Sequence, residues 1–115
     1  MATHLNLVAS MKLIGVAANG VEQSFVAGVA TPIQQPTGEW ACPTLTHDRP
    51  APQPIFGDDS LQALCLGLSF IRLRLEDFLE SGGRLFLEEE RAEISRDHLA
   101  AWFSCVGSNR QHPLR

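Results

Sequence analysis

From Leu5 to Leu13 the odd positions Leu5, Leu7, Ala9, Met11 and Leu13 are apolar, with Asn6, Ser10 and Lys12 set between them. A period of two over this length predicts a strand with one buried face. Ala18-Asn19-Gly20 follows, and Asn-Gly is a strong short-range hairpin signal because both residues tolerate positive φ. A second strand is expected over Gln23–Ile33, with Phe25, Ala27, Val29 and Thr31 on one face, so the first two strands should pair antiparallel. Six of the seven prolines then fall between Pro32 and Pro54, where missing N–H donors rule out a continuous central strand. Within that stretch a short strand is expected at Glu39–Thr46, carrying Trp40 and Cys42. Pro50, Pro52 and Pro54 predict a stiff connection onward to a helix.

That helix is the clearest element of the pattern. Gly57-Asp58-Asp59-Ser60 opens it, with Asp59 and Gln62 spaced as a capping box, and Ser81-Gly82-Gly83 closes it. Leu61, Leu64, Cys65, Leu68, Ile71, Leu75, Phe78 and Leu79 fall on one broad face at helical spacing, the expected core stripe. Gln62, Ser69, Glu76 and Glu80 form a polar strip, and beyond it Leu66, Phe70 and Leu73 make a second apolar patch. A helix on one sheet needs one apolar face, so this patch predicts cover from another chain or from the C-terminal helix. Arg84–Glu88 reads as a fourth strand, and Glu88-Glu89-Glu90 as a solvated turn or strand end. A short helix over Arg96–Ser104 is expected, capped by Ser95, anchored by Trp102 and Phe103 and ended by Gly107, before a frayed tail over Ser108–Arg115. The reading is a single α+β domain over residues 1–115: an antiparallel sheet of three to four strands, one long helix packed on a face, and a short C-terminal helix at an edge.

Composition changes this picture little. Apolar residues at 44% and charged ones at 19% are globular values, and the net charge of −4 argues against nucleic acid and anionic membrane as partners. No apolar run reaches the roughly 18 residues of a membrane span, and three widely spaced cysteines without a C-x-x-C pair suit reduced thiols in a cytoplasm. Metal binding needs three or four convergent ligands. His4, His47, His98 and His112 are scattered, so neither metal nor cofactor is expected. Asp58 and Asp59 read as helix-capping acids rather than a catalytic carboxylate pair. Cys42, His47 and Asp48 lie close together in the proline-rich stretch and, with Trp40, mark a weaker candidate cleft with a thiol that a nearby base could activate.

Trp40-Ala41-Cys42 followed by Phe56-Gly57-Asp58-Asp59-Ser60-Leu61-Gln62-Ala63-Leu64 resembles a family of small bacterial proteins carrying a domain of unknown function. In that family a W-x-C strand precedes a G-x-D-S-x-Q-A-L helix start, then a Gly and an aromatic-rich strand. The similarity covers residues 38–87, and the acidic stretch from Glu88 onward departs from the family's ending. The resemblance implies a fold and a bacterial source but no reaction. Together these observations point to a non-enzymatic interaction or accessory module, of an immunity type or a homodimer, acting through Leu66, Phe70 and Leu73. The alternative is a small enzyme or ligand-binding protein using the cleft near Trp40, Cys42 and His47.

Overall fold

The first two strands meet where the Asn-Gly pair sits. Gly20 takes φ of 90°, which a side chain resists, and its N–H donates to the Ala17 carbonyl while the Ala17 N–H donates to Val21. The computed structural model describes residues 5–106. Along them run β1 (Leu7–Val16), β2 (Glu22–Ala30), β3 (Ile33–Gln34), β4 (Trp40–Leu45), β5 (Gln53–Gly57), α1 (Ser60–Glu80), β6 (Arg84–Leu87), β7 (Glu93–Ile94) and α2 (Arg96–Trp102). All seven strands join one antiparallel sheet in the order β3-β4-β2-β1-β6-β7, with β5 on the remaining edge of β4. Both helices lie on the same face, and the principal extents of 43 × 41 × 22 Å are those of a slab two layers thick.

The fold is α+β, but the expected three to four strands are overturned by seven. Three local causes account for the difference. Pro32 interrupts the second strand, so its end resumes as β3 and pairs with Trp40 and Ala41. The stretch read as a stiff connection is β5, and its Pro54 sits opposite Pro43, so neither missing donor breaks a ladder bond. After the acidic turn, Arg91 takes a positive φ of 58° and returns the chain as β7 beside β6, a strand too short to show a period. Gly107 and the tail over 108–115 lie outside the described residues.

The face of the sheet beneath the helices carries Leu13, Ala27, Val29, Cys42 and Leu85, all buried, and α1 presses Ala63, Ile71 and Leu75 onto it while α2 adds Leu99. The helix approaches β4 most closely at Gly67, where a Cβ would stand 3.0 Å from Cys42 Sγ and 3.3 Å from Thr44 Cγ2. The expected stripe holds from Leu64 to Leu79, whose apolar residues lie in or against the core, and departs from expectation at three positions. Leu61 is 68% exposed rather than core, whereas Ser69 and Glu76, expected on a solvated strip, are buried. Arg72 explains the burial of Glu76. It pairs with that carboxylate at 3.0 Å and donates through Nη1 to the Val106 and Phe103 carbonyls at 3.2 and 3.5 Å, tying the end of α2 to α1. No helix among the described residues is long and apolar enough to cross a membrane.

Both helix starts are capped. Asp59 accepts from the Gln62 N–H at 2.7 Å, and the Gln62 side chain accepts from the Asp58 N–H rather than from Asp59 itself. Ser95 accepts from the His98 N–H, and His98 Nδ1 accepts from the Ser95 N–H, so a histidine completes the capping box. Asp59→Ala is expected to lower unfolding free energy by about 1 kcal/mol, read as a shift in the urea midpoint at unchanged slope. Arg72→Met should cost about 2 kcal/mol, the scale of hydrogen bonds to a charged group, and should raise amide exchange in α2 before the rest of the molecule.

Candidate functional site

The four residues of the proline-rich stretch do not converge. Trp40 lies at the start of β4, opposite Gly57 and half-buried against the core. Cys42 is fully buried between the sheet and Gly67, and its thiol donates weakly to the Ala30 carbonyl at 3.5 Å. Burial pushes that thiol above its ordinary range, which keeps it neutral and unreactive. His47 is five residues further along, on the order of 15 Å at strand rise, so the thiol and the base do not meet.

His47 and Asp48 instead join a cluster that sequence spacing did not reveal. The His47 ring wedges between Phe25 of β2 and Phe78 of α1, with centroids 5.5 and 4.9 Å away. Its backbone carbonyl accepts from the Gln23 side chain. Asp48 accepts from the Thr46 hydroxyl at 2.7 Å and pairs with Arg74 of α1, which also reaches Asp77 at 3.2 Å. Burial would raise the Asp48 carboxyl, but the bonds from Thr46 and Arg74 and the Arg74 charge outweigh it and leave it below the usual carboxylate range. Burial also holds His47 below its ordinary value. The Asp48 charge opposes that shift, and Arg74 adds to it. A depression of about 440 Å³ opens beside them, lined by Gln23, Phe25, Leu45, Thr46, His47 and Asp48 among others. With His47 Nδ1 buried and its ring held between two aromatic rings in tilted and edge-on contact, the cluster works as a clamp between the β4 exit and the long helix.

Leu66, Phe70 and Leu73 are each half-buried in the single chain. They lie on the flank of α1 that also carries Arg74 and Asp77, so the area they leave to another chain is smaller than a fully exposed stripe offers. A larger uncovered surface lies on the opposite side of the sheet. Since Cys42 and Gly57 face α1, Ala41 and Phe56 face away from it. They stand opposite each other, with Ile33 opposite Ala41 on the next strand. Ile33 is 55% and Phe56 48% exposed, while Ala41 between them is buried. On the same face Leu7 stands opposite Ala30, Pro43 opposite Pro54 and Leu45 opposite Gly28. These positions contain no charged side chain. The face was legible in principle: Trp40 and Cys42 pointing inward put Ala41 outward. However, it required recognising Gln53–Gly57 as a strand.

The described residues contain no group of three His, Cys, Asp or Glu side chains able to hold a metal ion. The candidate ligands His4 and His112 lie outside those residues. The chain matches no family model, no curated protein and no solved structure.

Two outcomes follow from the clamp and the thiol. His47 binds protons more weakly when folded than its unfolded value of about 6.5, so the unfolded state holds more protons below that pH. Stability is therefore flat above about pH 6.5 and falls as pH drops from there toward the folded value. Urea midpoints from about pH 7.5 to 5 should show this decline, and His47→Gln should remove it. With a thiol reagent, exposed Cys105 should label first, half-buried Cys65 next and Cys42 last, on the unfolding timescale.

Proposed function

We propose that the protein is a non-enzymatic interaction module that works as a homodimer joined through the open face of its sheet. The observation that carries this reading is the uncharged apolar surface centred on Ile33, Ala41 and Phe56, with Leu7, Ala30, Pro43, Leu45 and Pro54 around it. One face of an antiparallel sheet is ordinarily polar and solvated; here the half built from β3, β4 and β5 is not. The second copy is favoured over a charged partner because the surface offers no charge to pair with. For a chain of net charge −4, an uncharged patch also lets two identical molecules approach without like charges opposed at its centre. Phe56 and Ile33 stand out beside the buried Ala41 and Ala30, and relief of this kind suits packing about a two-fold axis. Sheets packed this way lie about 10 Å apart and interdigitate their side chains.

The enzyme reading has less support, because Trp40, Cys42 and His47 are held in separate surroundings and the Cys42 thiol is buried and neutral. The resemblance to a bacterial family of unassigned function fits an accessory or immunity-type role without specifying one.

Sedimentation at about 50 µM tests the dimer and the surface it uses. The wild type and Phe70→Glu should both sediment as dimers, and Phe56→Glu and Ile33→Glu as folded monomers. A wild-type monomer ends the homodimer reading. Dissociation by Phe70→Glu with Phe56→Glu still dimeric moves the interface to the α1 flank of Leu66, Phe70 and Leu73.

A further inference from the structure

The two helices do not close completely over the sheet. The long helix leans on β4 and β5 through the Gly67 contact, and α2 is seven residues long. Between them, over the bulged start of β1 and the end of β2, lies a cavity of about 180 Å³. Small residues form its floor, Ala9 and Ala27 on the inner face beside the backbone of Ser10 and Gly28. Ala9 faces the helices, opposite the buried Val29, and is nevertheless exposed because the cavity opens above it. Met11, Leu68, Ile71, Phe103 and Trp102 make the walls. Among the described residues no charged side chain lines it. Trp102 is 43% exposed at the rim and stacks on His98, with centroids 5.6 Å apart and planes 26° from parallel, which sets a flat aromatic wall at the mouth.

We propose that this cavity binds a small uncharged aromatic molecule, at a site separate from the open sheet face. Three observations select that class. The volume is that of a single ring with one or two substituents, since a cavity of about 150 Å³ lined by aliphatic and aromatic side chains accommodates benzene. The lining is apolar and uncharged, so water inside gains few hydrogen bonds and an ionised guest would find no counter-charge. Trp102 and Phe103 supply ring faces and edges against which a planar guest packs in offset or edge-on contact. Voids this large beside a close-packed core are few in a domain, and filling this one restores dispersion contacts to Met11, Leu68 and Ile71.

Titrating the full chain with toluene, benzyl alcohol and benzoate, followed by amide NMR, tests the assignment. Toluene and benzyl alcohol should shift the signals of Ala9, Met11, Ala27, Leu68 and Phe103 saturably, with a Kd of about 1 mM or tighter. Benzoate, with the same ring and a negative charge, should bind at least about ten-fold more weakly. Ala9→Leu places a side chain in the cavity and should abolish the toluene shifts while leaving the α1 signals in place. Trp102→Ser, at a position 43% exposed at the rim, should weaken toluene several-fold, and serves alone if Ala9→Leu does not fold. Absence of saturable toluene binding overturns the proposal, as does benzoate binding equal to toluene. Toluene affinity unchanged in the variants that fold overturns it too. None of these outcomes bears on the dimer, which is read by sedimentation.

Discussion

The arrangement of the molecule follows from how near α1 comes to β4. With no side chain at Gly67, the helix backbone descends until Cys42 Sγ and Thr44 Cγ2 nearly touch it, and a single added carbon would stand 3.0 Å from the sulfur. Close approach at that point decides what the rest of the helix can reach. Ile71 and Leu75, one and two turns later, are carried into the centre of the core, and Phe78 arrives at His47. At the other end, Gly57 lets Ala63 come down beside β5, where a Cβ would meet the Ala63 nitrogen at 2.5 Å. The helix therefore leans toward β4 and β5, although Phe78 near its end still reaches Gly15 of β1, and α2 adds Leu99 over the other half of the sheet. Fully buried Leu13, Leu85 and Leu99 show that α2 completes that half of the core, and the cavity is the gap between the two helices.

Two charged groups then tie α1 to its surroundings. Arg74 spans from α1 to Asp48 at the β4 exit, and Arg72, on another flank of the same helix, spans to the carbonyls that end α2. Each guanidinium offers several donors in a rigid fork, so each can serve a carboxylate on its own helix together with a distant acceptor. Among the described residues no helix lies on the sheet's other side, and no comparable tether crosses it.

Periodicity in the sequence captured what local chemistry determines. The Asn-Gly turn, the Asp59 and Ser95 caps and the long helix with its Ser-Gly-Gly end all depend on residues within a few positions of one another. The helix's apolar face was legible from Leu64 to Leu79; Leu61 was misread because it looks as apolar as Ile71, and Gly67, where the helix meets β4, has no side chain to mark it. Glu76 looks solvated until Arg72 is known to pair with it and reach on to the end of α2. His47 and Asp48 stood out in sequence, but their partners Phe25, Arg74 and Phe78 lie twenty or more residues away. The prolines were the costliest misreading: they argued against a strand at Gln53–Gly57, yet two of them face each other across the ladder without losing a bond. With that strand unseen, the apolar face it completes was unseen too.

The opposed prolines have one more consequence, which concerns the border of the sheet. Pro43 and Pro54 exchange no bond, so in alternating register Thr44 with Gln53, Cys42 with Ile55 and Trp40 with Gly57 are the bonded pairs of this ladder. The backbone of Pro54 and Phe56 is then directed outward, away from β4. An added strand would find one amide donor there, at Phe56, and a pyrrolidine ring where the next should be. The border is thus chemically blunted against templated growth into fibres, although an apolar aromatic side chain stands immediately beside it. At this border the apolar surface is thus turned to the broad side of the slab, and an incoming strand finds little backbone to pair with.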